Sequence, residues 1–277
     1  MARLRVPVNP DILTGVHVTA QPSRPGIAHG VVWALFAAHL LAQPVYALLP
    51  PSLELPGTLF IVVTSTSFAF AHLWVTGGSR AALLLLGLCF FVAGGFEILS
   101  VHTGFPYGHY AYSSLLGPGI AGVPFIVPLC WQMMAHNAST VARLLNPKAF
   151  VLVASGALVA WDVYLDPQMV RAGLWTWERN VGPWTYAGIP LENYAGWFLT
   201  ALVIYALYSR LVNPALERPT LFAVLPALSF VWTWFGSGLV NMVWWGQPLV
   251  GVMGLILMGA FAVPVAVKLW RTSRGQP

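Results

Sequence analysis

The stretch AFVLVASGALVAWDVYLD, residues 149 to 166, decides the fold class. Its first thirteen residues carry no charge, and it then ends on two carboxylates, Asp162 and Asp166. A helix of this composition has no face to give to water, so it is buried all round, in a bilayer or in a large core. The whole chain chooses between these. Across 277 residues, 58% are apolar and 8% charged, and the mean hydropathy is +0.73. Soluble domains carry roughly 25% charge, so no aqueous surface could be built from this composition. The expected fold is an all-α, polytopic transmembrane helix bundle.

A bilayer core takes about 20 apolar residues per helix. Runs of that kind lie near residues 29–49, 57–77, 81–100, 119–137, 149–166, 192–212, 220–241 and 247–268, which gives about eight spans in one domain, 29–270, between tails 1–28 and 271–277. The first 26 residues contain Arg3, Arg5 and Arg24 ahead of any apolar core and do not resemble a cleaved signal. Basic residues set orientation. Placing both tails in the cytoplasm puts Arg3, Arg5, Arg24, Arg80, Arg143, Lys148, Arg210, Arg218, Lys268, Arg271 and Arg274 on one side and only Arg171 and Arg179 opposite, as expected for a multi-pass protein of the cell membrane. The net charge of +5 is then topology rather than a nucleic-acid patch. Cys89 and Cys130 fall inside apolar runs and read as packing residues.

On this map four carboxylates reach one depth. Glu97 and His102 end the third span, Asp162 and Asp166 the fifth, and Glu192 with Asn193 begins the sixth. An ionisable group in or near hydrocarbon costs several kcal/mol unless paired or solvated, so such residues mark a site. Asp162 and Asp166 are four apart, on one helix face and about 6 Å apart along the axis. Like charges that close require a proton, a bridging cation or water. Pro167 should end the helix there. Glu192 also suits a structural role, as a first-turn carboxylate at a helix N-terminus.

Two loops on the same side are aromatic and turn-rich: GFPYGHYAY at 104–112 with Gly122-Val123-Pro124, and GLWTWE at 173–178 with Gly188-Ile189-Pro190. Glycine and proline at these spacings predict structured caps. The third and fourth spans echo the fifth and sixth, either as two copies of one carboxylate-bearing hairpin or as a coincidence of Gly and Pro at helix starts. His39, His72 and His136 read as hydrogen-bonded packing, while His102 and His109 lie beside the carboxylates. Trp175, Trp177, Trp184, Trp244 and Trp245 suit an interfacial belt; Trp131, Trp161, Trp232 and Trp234 lie deeper, where aromatic faces line a polyene tunnel or pack. No metal-ligand cluster, phosphate loop or dinucleotide fingerprint is present, so neither a metal nor a cofactor is expected.

The runs at 104–110 and 122–131, Asp162 to Trp177, and GIPLENYAGW at 188–197 resemble the carotenoid 1',2'-hydratase family of integral membrane enzymes over residues about 95 to 200. The resemblance implies addition of water across the terminal double bond of an acyclic carotenoid within the bilayer, alongside other enzymes of carotenoid biosynthesis. Acid-catalysed hydration needs a proton donor, a pocket tolerant of positive charge and a base that positions water. Asp162 or Asp166 is the expected acid and Glu97 or Glu192 the expected base. Tyr107, His109 and Trp161, with His102, Asn193 and Trp131, are expected to shape the substrate pocket. Two other classes use intramembrane carboxylates: a transporter of a small solute or proton, and a prenyl-transferring or end-group-cyclising lipid enzyme holding Mg²⁺ at Asp162 and Asp166.

Overall fold

The computed structural model describes residues 26–178, 184–212 and 220–275. Arg3, Arg5, Arg24, Arg179 and Arg218, which entered the orientation argument, lie outside these residues. The apolar runs form α1 (Ile27–Ala47), α2 (Pro51–Leu88), α3 (Gly94–Thr103), α4 (Ile126–Leu145), α5 (Phe150–Arg171), α6 (Leu191–Leu211), α7 (Leu225–Val243), α8 (Pro248–Leu257) and α9 (Gly259–Ser273). Ile27–Ala47, Pro51–Thr103 and Pro147–Arg171 are each long and apolar enough to cross a membrane, as are α8 and α9 together as one segment bent by 53°. The all-α membrane bundle expected from composition is the observed architecture.

Several boundaries differ from the sequence reading, each for a local reason. The second and third runs are joined by a single residue, Gly78, whose φ of 82° breaks α2 without a loop. Between α2 and α3 the backbone makes a π-turn, Cys89–Ala93. The extra residue of such a turn rotates the next helical segment about its axis, and Glu97, on the rotated segment, is buried. α4 begins at Ile126 rather than 119, because residues 119–124 form a hairpin. Pro167 does not end α5, which continues to Arg171. A proline removes one backbone donor, and only the last turn lies beyond this one.

The repeat is a real feature of the fold. β2 (Gly119–Ile120) and β3 (Val123–Pro124) form a hairpin that leads into α4, and β5 (Thr185–Tyr186) and β6 (Ile189–Pro190) form another that leads into α6. Both turn through Ala-Gly pairs at positive φ: Ala121 (50°) with Gly122 (82°), and Ala187 (51°) with Gly188 (82°). Two consecutive residues in that region give the turn whose twist suits a two-residue hairpin. Ahead of each hairpin stands one more strand, β1 (Tyr110–Tyr112) and β4 (Trp175–Trp177), and these two pair with each other. Their antiparallel register, Tyr110 with Trp177 and Tyr112 with Trp175 about Ala111 with Thr176, is self-complementary, as in a two-fold contact. Trp131 on α4 and Trp197 on α6, which follow Gly122 and Gly188 by the same nine residues, stack at 3.8 Å and 15°. The units α3 to α4 and α5 to α6 thus face each other, with the strands capping one end of the bundle.

Candidate active site

Beneath the β1–β4 cap lies a cavity of about 340 Å³. Glu97 and Asp166 both line it, contributed by different repeat units. Glu97 is buried on α3 and accepts three hydrogen bonds: from Trp131 Nε1 (2.9 Å) and Tyr112 OH (2.7 Å), and from Tyr110 OH. The two tyrosines alternate with Ala111 on a short strand, so β1 aims both phenols back toward the bundle. Burial, then the neighbouring Glu97 charge, pushes the Tyr110 phenol well above the usual tyrosine range, and the same two causes act on Tyr112. Both hydroxyls therefore remain donors at any physiological pH.

The second carboxylate group is a pair. Asp162 and Asp166 are buried one turn apart on α5. Asn193 Nδ2 donates to Asp166 Oδ2 at 2.5 Å and to Asp162 Oδ2 at 3.2 Å, and Trp175 Nε1 donates to Asp166 Oδ1 at 3.1 Å. Asp162 Oδ1 has no protein partner among the described residues. Asp162 is absent from the cavity wall, so Asp166 presents the pair to the enclosed space and Asp162 backs it.

Aromatic faces fill the interval. The Trp131 and Trp197 stack, Trp161 edge-on to Trp197 at 6.3 Å, and Tyr107 and Tyr110 supply π-surfaces at the cavity. Tyr107 is held by Thr200, 2.7 Å from its hydroxyl, and by Trp177 Nε1, which donates to its carbonyl at 2.9 Å. Such faces attract a cation, by ~2 kcal/mol or more where water is excluded.

Of the residues singled out from sequence, the fold brings Glu97, Asp162, Asp166, Asn193, Tyr107, Trp131 and Trp161 together. Glu192, His102 and His109 lie outside this cavity. All three are exposed, and Glu192 and His109 border a separate surface depression. The reason is helical geometry: Glu192 and Asn193 are adjacent on α6, about 100° apart around its axis, and only Asn193 faces inward. Tyr110, Tyr112, Trp175, Trp177 and Trp197 also line this cavity and are not among the residues the sequence marks for it. The alternation of YAY and WTW is the one sequence signal for them, and three residues are too few to read as a strand. Cys89 and Cys130 are free, and Cys89 is buried in the core. Among the described residues no three His, Cys, Asp or Glu side chains converge as a metal site.

A family model described as a carotenoid biosynthesis protein matches residues 57–261, which include both carboxylate groups. The chain is 32% identical over 197 residues to the bisanhydrobacterioruberin hydratase of Haloarcula japonica, covering 65% of this chain and 63% of that protein. The chain thus spans a little under two thirds of that relative's length. No solved structure matches.

Proposed function

The chain belongs to the carotenoid biosynthesis protein family, and on that premise we propose that it is a carotenoid hydratase, adding water across the terminal 1',2' double bond of an acyclic end group. The observation that carries this reading is that Glu97 and Asp166, the latter backed by Asp162, line one aromatic-walled cavity inside a membrane bundle. Hydration of an isolated alkene needs an acid, a cation-tolerant surface and a base that positions one water, in a space closed to bulk water, and these are the chemical types found there.

In this reading the aspartate pair holds one proton between its two carboxylates, because two buried like charges so close cannot both persist. Asp166 gives that proton to C2', and the alkene's π electrons form the new C–H bond. Positive charge develops at C1', the tertiary carbon, against the faces of Trp131, Trp197 and Tyr110. Asn193 and Trp175 keep donating to Asp166 as it becomes a carboxylate, which offsets the low basicity of the alkene. Glu97 accepts three hydrogen bonds and donates none, the pattern of an acceptor-only carboxylate. It orients water toward C1' and takes the proton released when the C–O bond forms. Exchange of that proton with water and return of one to the aspartate pair restores the starting state, so the net change is one water added.

Expression in a lycopene-producing bacterium, with mass analysis of the extracted pigments, tests the proposal. The expected product is heavier by one water and disappears in Asp166→Asn and Glu97→Gln. Unchanged pigment beside well-folded wild-type protein would refute hydration of this end group.

A further inference from the structure

A cavity at the small end of the range for ligand pockets can hold the end of a long polyene but not its length, so the chain must leave by an opening. The seam between α1 and α7 is where the contacts around the cavity change character. The two helices run in the same direction and in register: His39 Nε2 meets Ser229 Oγ at 2.8 Å, and one turn further along both helices Gln43 Nε2 donates to Thr233 Oγ1 at 3.3 Å. Ser65 Oγ and Asn137 Nδ2 complete this polar seam, at 2.5 Å from His39 Nδ1 and 3.3 Å from Ser229 Oγ. Beyond Gln43 the zipper stops. The next turns present Ala47 and Leu48 on and just after α1 and Gly236, Ser237 and Val240 on α7, all on the cavity wall, with no hydrogen bond between the helices there among the described residues. At the strand-bearing end the gap is closed again, by Tyr46 against Trp245 at 5.6 Å and by the Arg171 guanidinium, 4.5 Å over the Trp245 ring and paired with Glu54 at 3.3 Å.

We propose that this gap is a lateral window through which the hydrocarbon chain of a linear lipid passes from the bilayer, leaving only its end group inside with Glu97 and Asp166. The proposal rests on the hydratase reading for the fate of that end group, but not for the passage itself. Large apolar residues on the cavity wall at the gap are not covered: Leu48 is 67% exposed and Leu239 37%. The wall of a closed cavity would cover such side chains, and their exposure is what a sideways opening requires. Gly236 carries no side chain at this frame, and a Cβ built on it meets nothing within 4 Å. The space beside it is open, and a larger residue would enter that space rather than distort the helix. The polar seam at Gln43 and Thr233 bounds the window on the other side, so an apolar chain is confined between the seam and Trp245.

The test is occlusion. Gly236→Phe should plug the window. Gly87→Phe, on α2, adds the same bulk at a glycine that likewise has nothing within 4 Å of an added Cβ and takes no part in the cavity wall. Titration of detergent-solubilised protein with lycopene should quench tryptophan fluorescence saturably in wild type and in Gly87→Phe. In Gly236→Phe the apparent affinity should fall at least about tenfold, a loss of roughly 1.4 kcal/mol. Equal quenching in Gly236→Phe and wild type, equal loss in the two variants, or no saturable quenching in wild type would each overturn the window. Product analysis on the same proteins separates the two readings: saturable, Gly236-sensitive binding without hydration leaves the window standing and removes the hydratase assignment, whereas undiminished hydration by Gly236→Phe does the reverse.

Discussion

Asn193 is the residue whose replacement discriminates most sharply between a catalytic pair and a merely buried one. Its amide nitrogen is the donor that Asp162 and Asp166 share, at 3.2 and 2.5 Å. A hydrogen bond to a charged acceptor contributes ~1.5–3 kcal/mol. If the bond to Asp166 matters most as that group surrenders its proton, its loss raises the barrier by about the same amount, or roughly 10- to 150-fold in rate at 1.36 kcal/mol per decade. Asn193→Leu keeps the volume and the helix, so it should show that loss in turnover while the protein still accumulates. Asn193→Asp is nearly isosteric and would be the milder change if the residue only packed. Here it should be the harsher one, because it sets a third carboxyl beside two and replaces a donor with an acceptor. The assay is the initial rate of water addition in membranes, normalised to folded protein. A wild-type rate in Asn193→Asp, or a loss in Asn193→Leu no larger than the loss of folded protein, would refute the shared-proton argument.

Three further outcomes are expected. Tyr110→Phe removes one of the donors to Glu97 but keeps the ring contact with Trp177 at 5.4 Å, so hydration should fall about tenfold or more with little change in thermal stability; an unchanged rate would remove Tyr110 from the site. Glu192→Gln, His102→Ala and His109→Ala lie on the exposed surface and should alter the rate by no more than about twofold, and a large loss in any of them would move the site outward. Gly196→Ala should destabilise the protein by ~1–3 kcal/mol, read as a lowered melting temperature in detergent, because the added methyl would stand 2.5 Å from the Pro106 carbonyl oxygen, which a side-chain rotation cannot relieve. Unaltered melting would mean that the loop at Pro106 yields easily.

Hydrophobic run length and the placement of charge made the bundle readable from sequence, and the shared depth of Glu97 and Asp162–Asp166 came from the same map. The repeat was visible in the recurrence of Gly-Val-Pro and Gly-Ile-Pro after each acidic helix. What could not be read was the folding of the loops. Tyr110 and Tyr112 reach Glu97 only because β1 pairs with β4, a strand more than sixty residues later, and nothing local announces a three-residue partner so far away. Trp175 and Trp177 matched an interfacial belt for the same reason; on a paired strand one of them turns inward to Asp166 and the other borders the cavity. The departures at Glu192 and Pro167 are of another kind. Composition gives depth along a helix but not rotation about it, and a proline four residues before a helix end removes too little hydrogen bonding to stop it.

The self-complementary pairing of β1 with β4 has one more consequence. Two separate, identical hairpins associating through this contact would be obliged to offer the same side chain from either flank, so any acid would meet its own copy. With both hairpins in a single polypeptide, each flank mutates alone, and that freedom is visible in Glu97 on one and a paired aspartate on the other. A chemical step that must take a proton from one direction and deliver it to another is open to the fused arrangement and closed to the symmetric one.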